Sequence, residues 1–382
     1  MVRLLNRTIL ILGCLYWALF KQHNNNNETM TTTTTNGRII LPDDVRGLLA
    51  AFDLQLSDLL TVNPKVMKTA AAGIARSVIH HAKPSRSLAR AIDPRNNNAT
   101  ATRGYLPALH ALAERNGMIS AAVAHNGCMH ATPSCIRCCL EQSGHGGLSV
   151  AVSAARGRRT LAMVADPVTY GRAMVYAMAR ETARARRDGL PLAARLCGTD
   201  ETPWFRRLFP VSVADAERIR RRFGVHVNTG DRLNVAAAFG DVADLTLYEY
   251  LKARTNDADG LIAWRQAGWH DVTASFAADR STAVRDAVHA IRAGFRVAFP
   301  VMINKRAAPL RSLTLRPDDG VAVTVPAVDG DATDARWLDP APSGVVLRYK
   351  RSRGADPAAV AGFVLPDVPA VRLHDGVVQL NR

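Results

Sequence analysis

The chain has 382 residues, and its 49 lysines and arginines outnumber its 33 aspartates and glutamates, which gives a formal charge of +16. Apolar residues make up 48% of the chain, a share that excludes a wholly disordered protein, and the 26 glycines and 19 prolines follow no fibrous repeat. Only seven of the 49 basic residues are lysines, a bias typical of GC-rich coding, so the charge by itself favours no more than weak, non-specific nucleic-acid binding.

Residues 1–36 are predicted to form an apolar leader and a low-complexity linker. The apolar run at 9–20 is short for a membrane span, which needs about 20 residues, so we expect no stable membrane insertion and a cytoplasmic protein. Three interpretations of this run stay open. It could precede the true translation start at Met30, it could be a signal peptide or membrane anchor, or it could be a buried helix. The asparagine and threonine repeats at 24–36 cannot bury apolar area and predict disorder.

Residues 37–118 are predicted to be an N-terminal helical segment. Apolar side chains recur at helical spacing over 44–60, behind Pro42 and Asp43. Residues 84–103 are rich in serine, arginine and asparagine, which indicates an exposed insertion.

From residue 119 to 382, short apolar runs alternate with helical patterns. The runs predict strands at 119–124, 192–197, 244–250, 272–276, 296–303, 321–325 and 345–349. Helices are predicted after Asp166, Ser212 and Thr282, and they end at Gly189, Gly224 and Gly294. Strands that alternate with helices argue for parallel pairing, so we expect an α/β fold with a complete or partial (β/α) barrel. A doubly wound open parallel sheet is the alternative.

Four of the six cysteines lie within one short segment, at Cys128, Cys135, Cys138 and Cys139. Clustered thiols in a chain with so few cysteines favour metal binding over a disulfide scaffold. Cys128, Cys135 and Cys139 can hold an iron–sulfur cluster that leaves one iron open. The alternatives are a zinc site completed by a further cysteine, His130 or His145, and cysteines that are buried without a metal.

Polar side chains recur where the predicted strands end, as expected for the mouth of a barrel. We expect them to form a cofactor- or substrate-binding pocket, in which Arg195 or Lys252 binds an anionic group. Asp329 or Asp331 would accept hydrogen bonds from hydroxyl groups or from an amine of the cofactor. Arg336 could form an ion pair with either aspartate. The expected binding residues are Arg195, Asp200, Glu201, Tyr250, Lys252, Asp329, Asp331 and Arg336.

Motifs in a fixed order extend over residues 61–367, with a long insertion near 70–117. They are Asn63-Pro64-Lys65, then Cys128, Ala131, Thr132, Cys135, Cys139 and Leu140, then Gly144-His145-Gly146, then Arg195, Leu196, Gly198, Thr199, Pro203 and Trp204, then Tyr248, Tyr250 and Lys252, then Thr273 and Ser275, then Asp329-Gly330-Asp331, Asp334, Arg336, Leu338, Asp339 and Pro340. The series resembles the phage "gene product 88" family of mycobacteriophage-type viral proteins, whose biochemical activity is unsettled.

The resemblance also implies a chemistry. Cysteines followed by a βα series are similar to radical S-adenosylmethionine enzymes, which implies S-adenosylmethionine as a cofactor, by analogy of fold. The chain departs from the family pattern at Cys197 and Glu249, where the family has Asn and Asp, and at Asp200-Glu201, where it has Ser-Asp. An identical substrate is therefore not expected.

The leading hypothesis is an iron–sulfur barrel protein acting on a small molecule that the sequence does not specify. The first alternative is a non-enzymatic zinc-binding module that contacts nucleic acid through arginines such as Arg218, Arg220, Arg221 and Arg222. These four also fit the solvated face of a helix, since no aromatic residues are interleaved with them. The second alternative is an inactive relic of the fold that is retained for interaction.

Overall fold

A computed structural model describes residues 41–62, 64–82, 107–118, 127–128, 130–137, 150–198, 200–303, 307–349, 360 and 362–382. The predicted leader and linker, the predicted insertion at 84–103, the predicted strand at 119–124, and Cys138 and Cys139 lie outside the described residues.

Twelve strands are present in the described part of the chain. They are β1 Arg76–Ile79, β2 Leu192–Arg195, β3 Phe209–Val211, β4 Gly230–Leu233, β5 Leu245–Leu251, β6 Asp271–Ser275, β7 Arg296–Val301, β8 Ser312–Pro317, β9 Val323–Asp329, β10 Gly344–Arg348, β11 Ala370–Leu373 and β12 Gly376–Asn381. Ten of them form one sheet, and β3 pairs with β4 in a small antiparallel ribbon.

The helices are α1 Asp43–Ala51, α2 Leu56–Leu59, α3 Pro64–Ala71, α4 Pro107–Arg115, α5 Pro133–Arg137, α6 Val150–Ala165, α7 Pro167–Arg187, α8 Val213–Phe223, α9 Val235–Ala238, α10 Leu261–Gln266 and α11 Ala283–Arg292. Two short 3₁₀ helices lie at Trp204–Arg206 and Arg336–Leu338.

The large sheet has the strand order β1-β2-β5-β6-β7-β10-β9-β8-β12-β11. All neighbours from β1 to β9 are parallel, and β8, β12 and β11 continue the sheet with antiparallel pairing. The α/β class is therefore confirmed, with a mostly parallel sheet. Within the described residues the sheet does not close on itself, because β1 and β11 remain its edges, so a complete barrel is not detected.

Most of the predicted elements are confirmed where the structure describes them. Asp166 caps α7 by accepting a hydrogen bond from the backbone N–H of Thr169 (2.9 Å), and Ser212 and Asp215 form the capping box of α8. Gly224 ends α8 with a left-handed φ of 65°, which glycine adopts without strain.

Two predictions need refinement. The helical spacing over 44–60 extends over two helices, α1 and α2, since the chain turns at Asp53 with a φ of 49°. The described sheet begins at β1, which the sequence analysis did not identify because Arg76–Ile79 is short and half polar. Residues before 118 therefore share a sheet with the later strands.

The two faces of the parallel strands differ in chemistry, because successive side chains point to opposite faces. On the helix-covered face, Ala274 and Val297 pack near Leu261 of α10 and Ala287 of α11. The opposite face, here called the polar face, carries Arg195, Tyr248, Tyr250, Thr273 and Arg296 at aligned register positions. Trp337 of the second 3₁₀ helix covers it, with its ring centroid 5.1 Å from that of Tyr248.

Candidate functional site

The described part of the cysteine segment, residues 127–128 and 130–137, is attached to the carboxyl ends of β2 and β5. The Glu201 carboxylate, in the loop after β2, accepts hydrogen bonds from the backbone N–H of His130 (3.3 Å) and from that of Lys252, the residue that follows β5. The backbone N–H of Glu201 in turn donates to the carbonyl of Gly127. One buried carboxylate thus holds the cysteine segment against two strand ends.

A second attachment comes from the loop after β6. The Asp279 carboxylate accepts a hydrogen bond from the backbone N–H of Ser134 (2.8 Å). The Arg280 guanidinium donates to the carbonyls of Lys252 (3.0 Å) and His130 (3.4 Å). The cysteine segment is therefore fixed over the carboxyl ends of three neighbouring parallel strands, which is the edge where α/β sheets bind ligands.

The Cys135 side chain lies beside Lys252 at this edge. Burial raises the pKa of the Cys135 thiol and the positive charge of Lys252 opposes that shift, while the Glu201 and Asp279 carboxylates add to it. The Lys252 Nζ also lies 5.2 Å from the centre of the Phe363 ring. A Cβ at the neighbouring Gly362 would lie 2.4 Å from Ser134 Oγ, so glycine lets the C-terminal segment pack directly on α5. The half-buried Cys135 thiol thus has one cation, Lys252, beside it.

The predicted metal ligands are only partly described. Cys128 and Cys135 are both half-buried, and Cys139 lies outside the described residues. Within the described ranges, no group of three His, Cys, Asp or Glu side chains is arranged to hold a metal ion. The remaining described cysteine, Cys197, is buried, and its Sγ lies 3.3 Å from the carbonyl of Thr202. The three-cysteine site remains a prediction.

The predicted binding residues Arg195 and Tyr250 are brought together on the polar face, around an aspartate that was not among them. The Asp334 carboxylate lies 3.6 Å from the Arg195 guanidinium and accepts hydrogen bonds from the hydroxyls of Tyr248 (2.8 Å) and Tyr250 (3.4 Å). Burial disfavours the charge of Arg195, but Asp334, Tyr248, Tyr250 and Glu249 together outweigh it and raise the pKa of the guanidinium. Arg195 is therefore engaged within the protein.

Arg336 has a different partner from the one expected. Its buried guanidinium lies 2.9 Å from the carboxylate of Asp339 and donates to the carbonyl of Thr333 (2.7 Å). The structure thus corrects the expectation that Arg336 pairs with Asp329 or Asp331, because the 3₁₀ turn at Arg336–Leu338 brings Asp339 back to it.

Asp329 and Asp331 instead contact Arg348 at the end of β10. The backbone N–H of Arg348 donates to Asp331 (2.9 Å), and the Arg348 guanidinium lies 3.5 Å from the Asp329 carboxylate. Because the Asp329 side chain is 48% exposed, this pair is a weak, solvated contact.

Two further acids are buried next to β2. Asp200, a predicted site residue, accepts a hydrogen bond from the Thr202 hydroxyl, and burial raises its pKa to about 7. Glu249, which was not predicted as a site residue, accepts hydrogen bonds from the backbone N–H groups of Leu196 (2.6 Å) and Cys197 (3.0 Å), and burial raises its pKa to about 8. Its position inside an apolar run of β5, Leu-Tyr-Glu-Tyr-Leu, was the signal that could have identified it.

The arginines of α8 are largely paired with acids of the same helix. Arg220 and Arg221 lie 2.9 Å and 3.5 Å from Glu217, and Arg218 lies 3.8 Å from Asp215. These pairs offset part of the charge that the nucleic-acid alternative requires. No helix in the described ranges combines the length and the apolar character needed to cross a membrane.

Comparisons of the chain with protein-family models, with curated proteins and with solved structures gave no match.

Proposed function

We propose that the chain is an iron–sulfur protein that acts on a small molecule at the carboxyl edge of its parallel sheet. Cys128, Cys135 and Cys139 would hold the cluster. The observation that carries the proposal is the attachment of the cysteine segment over β2, β5 and β6 by Glu201 and Asp279. Thiolates placed over the ends of parallel strands lie where an α/β scaffold holds its reaction centre.

The strand order supports a partial (β/α) barrel as the scaffold. β1, β2, β5, β6, β7 and β10 follow one another across the sheet in chain order. A doubly wound sheet reverses its order at a switch point and has helices on both faces. Here α7, α10 and α11 pack against β2, β6 and β7, while the polar face is contacted by Trp337 and, through Asp334, by Thr69 of α3. The order reverses beyond β10, because β9 and β8 precede β10 in the chain, so the incomplete barrel that we propose consists of the first six strands.

The described residues suit a thiolate-bound cluster. Cys135 is half-buried near the Glu201 and Asp279 carboxylates, so a thiolate there needs positive charge beside it, which Lys252 supplies in part and a metal would complete. When bound, a cluster with an open iron supplies one-electron chemistry and a position for a ligand such as S-adenosylmethionine. The protein's own part would be to hold the ligands and to exclude water through the packing of Phe363 and Gly362. The resemblance to the phage gene product 88 family marks the same three cysteines, but it implies no activity, because the activity of that family is unsettled.

Anaerobic purification followed by iron, sulfide and zinc analysis tests the proposal. We expect brown protein with broad visible absorption, and we expect Cys128→Ala, Cys135→Ala and Cys139→Ala each to abolish the colour. Cys138→Ala is the matched control, because it removes a thiol directly beside Cys139 and should keep the cluster. Colourless protein with stoichiometric zinc would overturn the proposal in favour of the zinc module.

Nucleic-acid binding separates the two hypotheses further. If the charge reflects coding bias, binding to DNA should be weak and should disappear between about 50 and 200 mM salt, as counterion release predicts for a few phosphate contacts. Binding that persists at the higher salt concentration would favour the nucleic-acid alternative.

A further inference from the structure

The carboxyl group of Asp200 is buried in the turn at 200–204, one residue before the glutamate that attaches the cysteine segment. Asp200 is only 4% exposed, and one of its oxygens accepts a hydrogen bond from the Thr202 hydroxyl. The other oxygen, Oδ1, is buried and has no hydrogen-bond partner in the described part of the chain. A carboxylate kept from water with a single hydrogen bond is costly, so the closed turn favours the neutral acid.

The charged and titratable groups around Asp200 do not restore an ordinary carboxyl group. Burial is the largest effect and raises the pKa of Asp200 to about 7, against the hydrogen bond from Thr202 and the positive charge of Arg207, while Glu201 adds to the shift. The other groups that face Asp200 are Tyr170 of α7, Cys197 after β2 and Glu249 of β5. None of these three carries a positive charge that would balance a carboxylate.

Glu201, the next residue, connects this turn to the cysteine segment. Its backbone N–H donates to the carbonyl of Gly127, and its carboxylate accepts hydrogen bonds from the backbone N–H groups of His130 and Lys252. These bonds require Glu201 to stay in place, so they break when the turn at 200–204 opens. The attachments from the loop after β6 then remain.

Opening of the turn exposes the Asp200 carboxyl group to water, where its pKa is the ordinary 3.8. Between about pH 4 and 7 the closed turn therefore keeps a proton that the open turn releases. The stability that this proton gives the closed turn is complete below about pH 4 and is lost as the pH rises through about 7. Each pH unit within this window makes opening about tenfold easier.

We propose that Asp200 and Glu201 form a pH-sensitive latch on the cysteine segment, closed while Asp200 is protonated and loosened when its proton is lost. The turn then opens more often, and Glu201 leaves the backbone groups that it holds. Control of a metal centre by this latch rests on the proposed function, since it requires that Cys128 and Cys135 bind the cluster. The loosening of the segment does not.

Amide hydrogen exchange in the full chain at about pH 5 and about pH 6.5 tests the latch. The protection factor of the His130 and Lys252 amides, which is the intrinsic exchange rate divided by the observed rate, should fall by roughly 30-fold over this interval. The amide of Leu315 in β8, a strand paired on both sides, reports on opening of the whole fold. Its protection should stay nearly constant, because the buried acids and the buried histidines oppose each other in this pH range.

Asp200→Asn is the decisive variant, because asparagine has the shape of the neutral acid and no proton to lose. The protection at His130 and Lys252 should then be nearly independent of pH. Asp241→Asn makes the same change of charge at an exposed position before β5 and should keep the pH dependence of the parent chain.

Thr202→Val keeps the latch testable if Asp200→Asn does not fold. It removes the hydrogen bond that favours the charged form of Asp200, so the pKa of this carboxyl group should rise further. The protection at His130 and Lys252 should therefore continue to fall above about pH 7, where that of the parent chain levels off.

Three outcomes overturn the latch. The same fall in Asp200→Asn as in the parent chain would show that another group drives the opening, and an equal fall at Leu315 would show global unfolding. A Thr202→Val variant that levels off at the same pH as the parent chain would separate Asp200 from the opening. The colour of anaerobically purified protein reports separately on the proposed function, because colourless protein with the expected exchange keeps the latch and refutes the cluster.

Discussion

Arg195, at the end of β2, is paired across the polar face with Asp334, in the loop that follows β9. The guanidinium lies 3.6 Å from the Asp334 carboxylate, which is fully buried, and its charged carbon lies 4.9 Å from the centre of the Tyr250 ring. The backbone N–H of Asp334 also donates to the Thr69 hydroxyl (3.2 Å) of α3. A loop residue thus joins β2, β5 and α3 at the centre of the polar face, where the sequence analysis expected a ligand.

Replacing Asp334 with asparagine should destabilise the fold strongly. The variant Asp334→Asn leaves the buried Arg195 charge without its carboxylate, so the free energy of unfolding should fall by about 3 kcal/mol or more. Urea denaturation followed by circular dichroism measures the change. Asp329→Asn is the control, because its pair with Arg348 is half-exposed and should contribute about 1 kcal/mol or less. Equal losses in both variants would contradict the structural role of Asp334.

The unfolding free energy should decrease as the pH rises above 6.5. Burial raises the pKa of Glu249 from 4.5 to about 8 and that of Asp200 from 3.8 to about 7. Between the two pKa values of each group, the folded state therefore binds more protons than the unfolded state. Burial lowers the pKa of His80 from 6.5 to about 3 and that of His81 to about 2, so below 6.5 the unfolded state binds the extra protons. The effects of the acids and of the histidines on the free energy of unfolding therefore oppose each other between about pH 4.5 and 6.5.

The expected profile is therefore a plateau between about pH 4.5 and 6.5, with a loss of about 2–3 kcal/mol between pH 6.5 and 8. Chemical denaturation at a series of pH values measures it. Glu249→Gln removes one of the two acids and should reduce the loss above pH 6.5. A stability that rises steadily from pH 5 to 8 would show that these carboxyl groups are ionised in the folded protein.

Gly198 should not tolerate a side chain. In Gly198→Ala the new Cβ would lie 2.5 Å from the carbonyl oxygen of His80 and 2.5 Å from Ile79 Cγ2, so β1 and the loop after β2 must separate. We expect a loss of about 1–3 kcal/mol of stability, measured by thermal unfolding. Gly240→Ala is the matched control, because its nearest neighbour would be 3.5 Å away, an ordinary contact. A Gly198→Ala variant as stable as Gly240→Ala would mean that the two strand ends are not packed as described.

Glu201→Gln should loosen the cysteine segment. The two oxygens of the Glu201 carboxylate accept hydrogen bonds from the backbone N–H groups of Lys252 and His130. Glutamine has an NH₂ group in place of one of these oxygens, so one of the two backbone N–H groups loses its partner. Amide hydrogen exchange at these two residues should quicken by roughly tenfold, the effect of losing one hydrogen bond to a charged acceptor. Asp257→Asn, whose carboxylate lies 3.9 Å from His130 Nδ1, should leave the exchange at Lys252 unchanged. Unchanged exchange in Glu201→Gln would remove the attachment on which the proposed function rests.

The sequence by itself determined the elements that depend on local chemistry. The capping box at Ser212 and Asp215 and the glycine at 224 fix the ends of α8 through bonds within the helix itself. The apolar runs of β2, β5, β6, β7 and β10 predict these strands, since a buried parallel strand is rich in apolar residues even where one of its faces carries polar side chains. The α/β class and the parallel pairing follow from the alternation of these two signals.

Only the tertiary structure decided which side chains meet. Asp334 is paired with Arg195, and Glu249 accepts hydrogen bonds from the backbone N–H groups of Leu196 and Cys197. These residues are far apart in the chain, so local periodicity carries no information on their contacts. The same holds for β1, a four-residue strand stabilised by its pairing with β2, and for Arg336, whose partner Asp339 is set by a 3₁₀ turn. A charged side chain in a folded core takes the partner that the fold brings within reach, because leaving it unpaired there costs several kcal/mol.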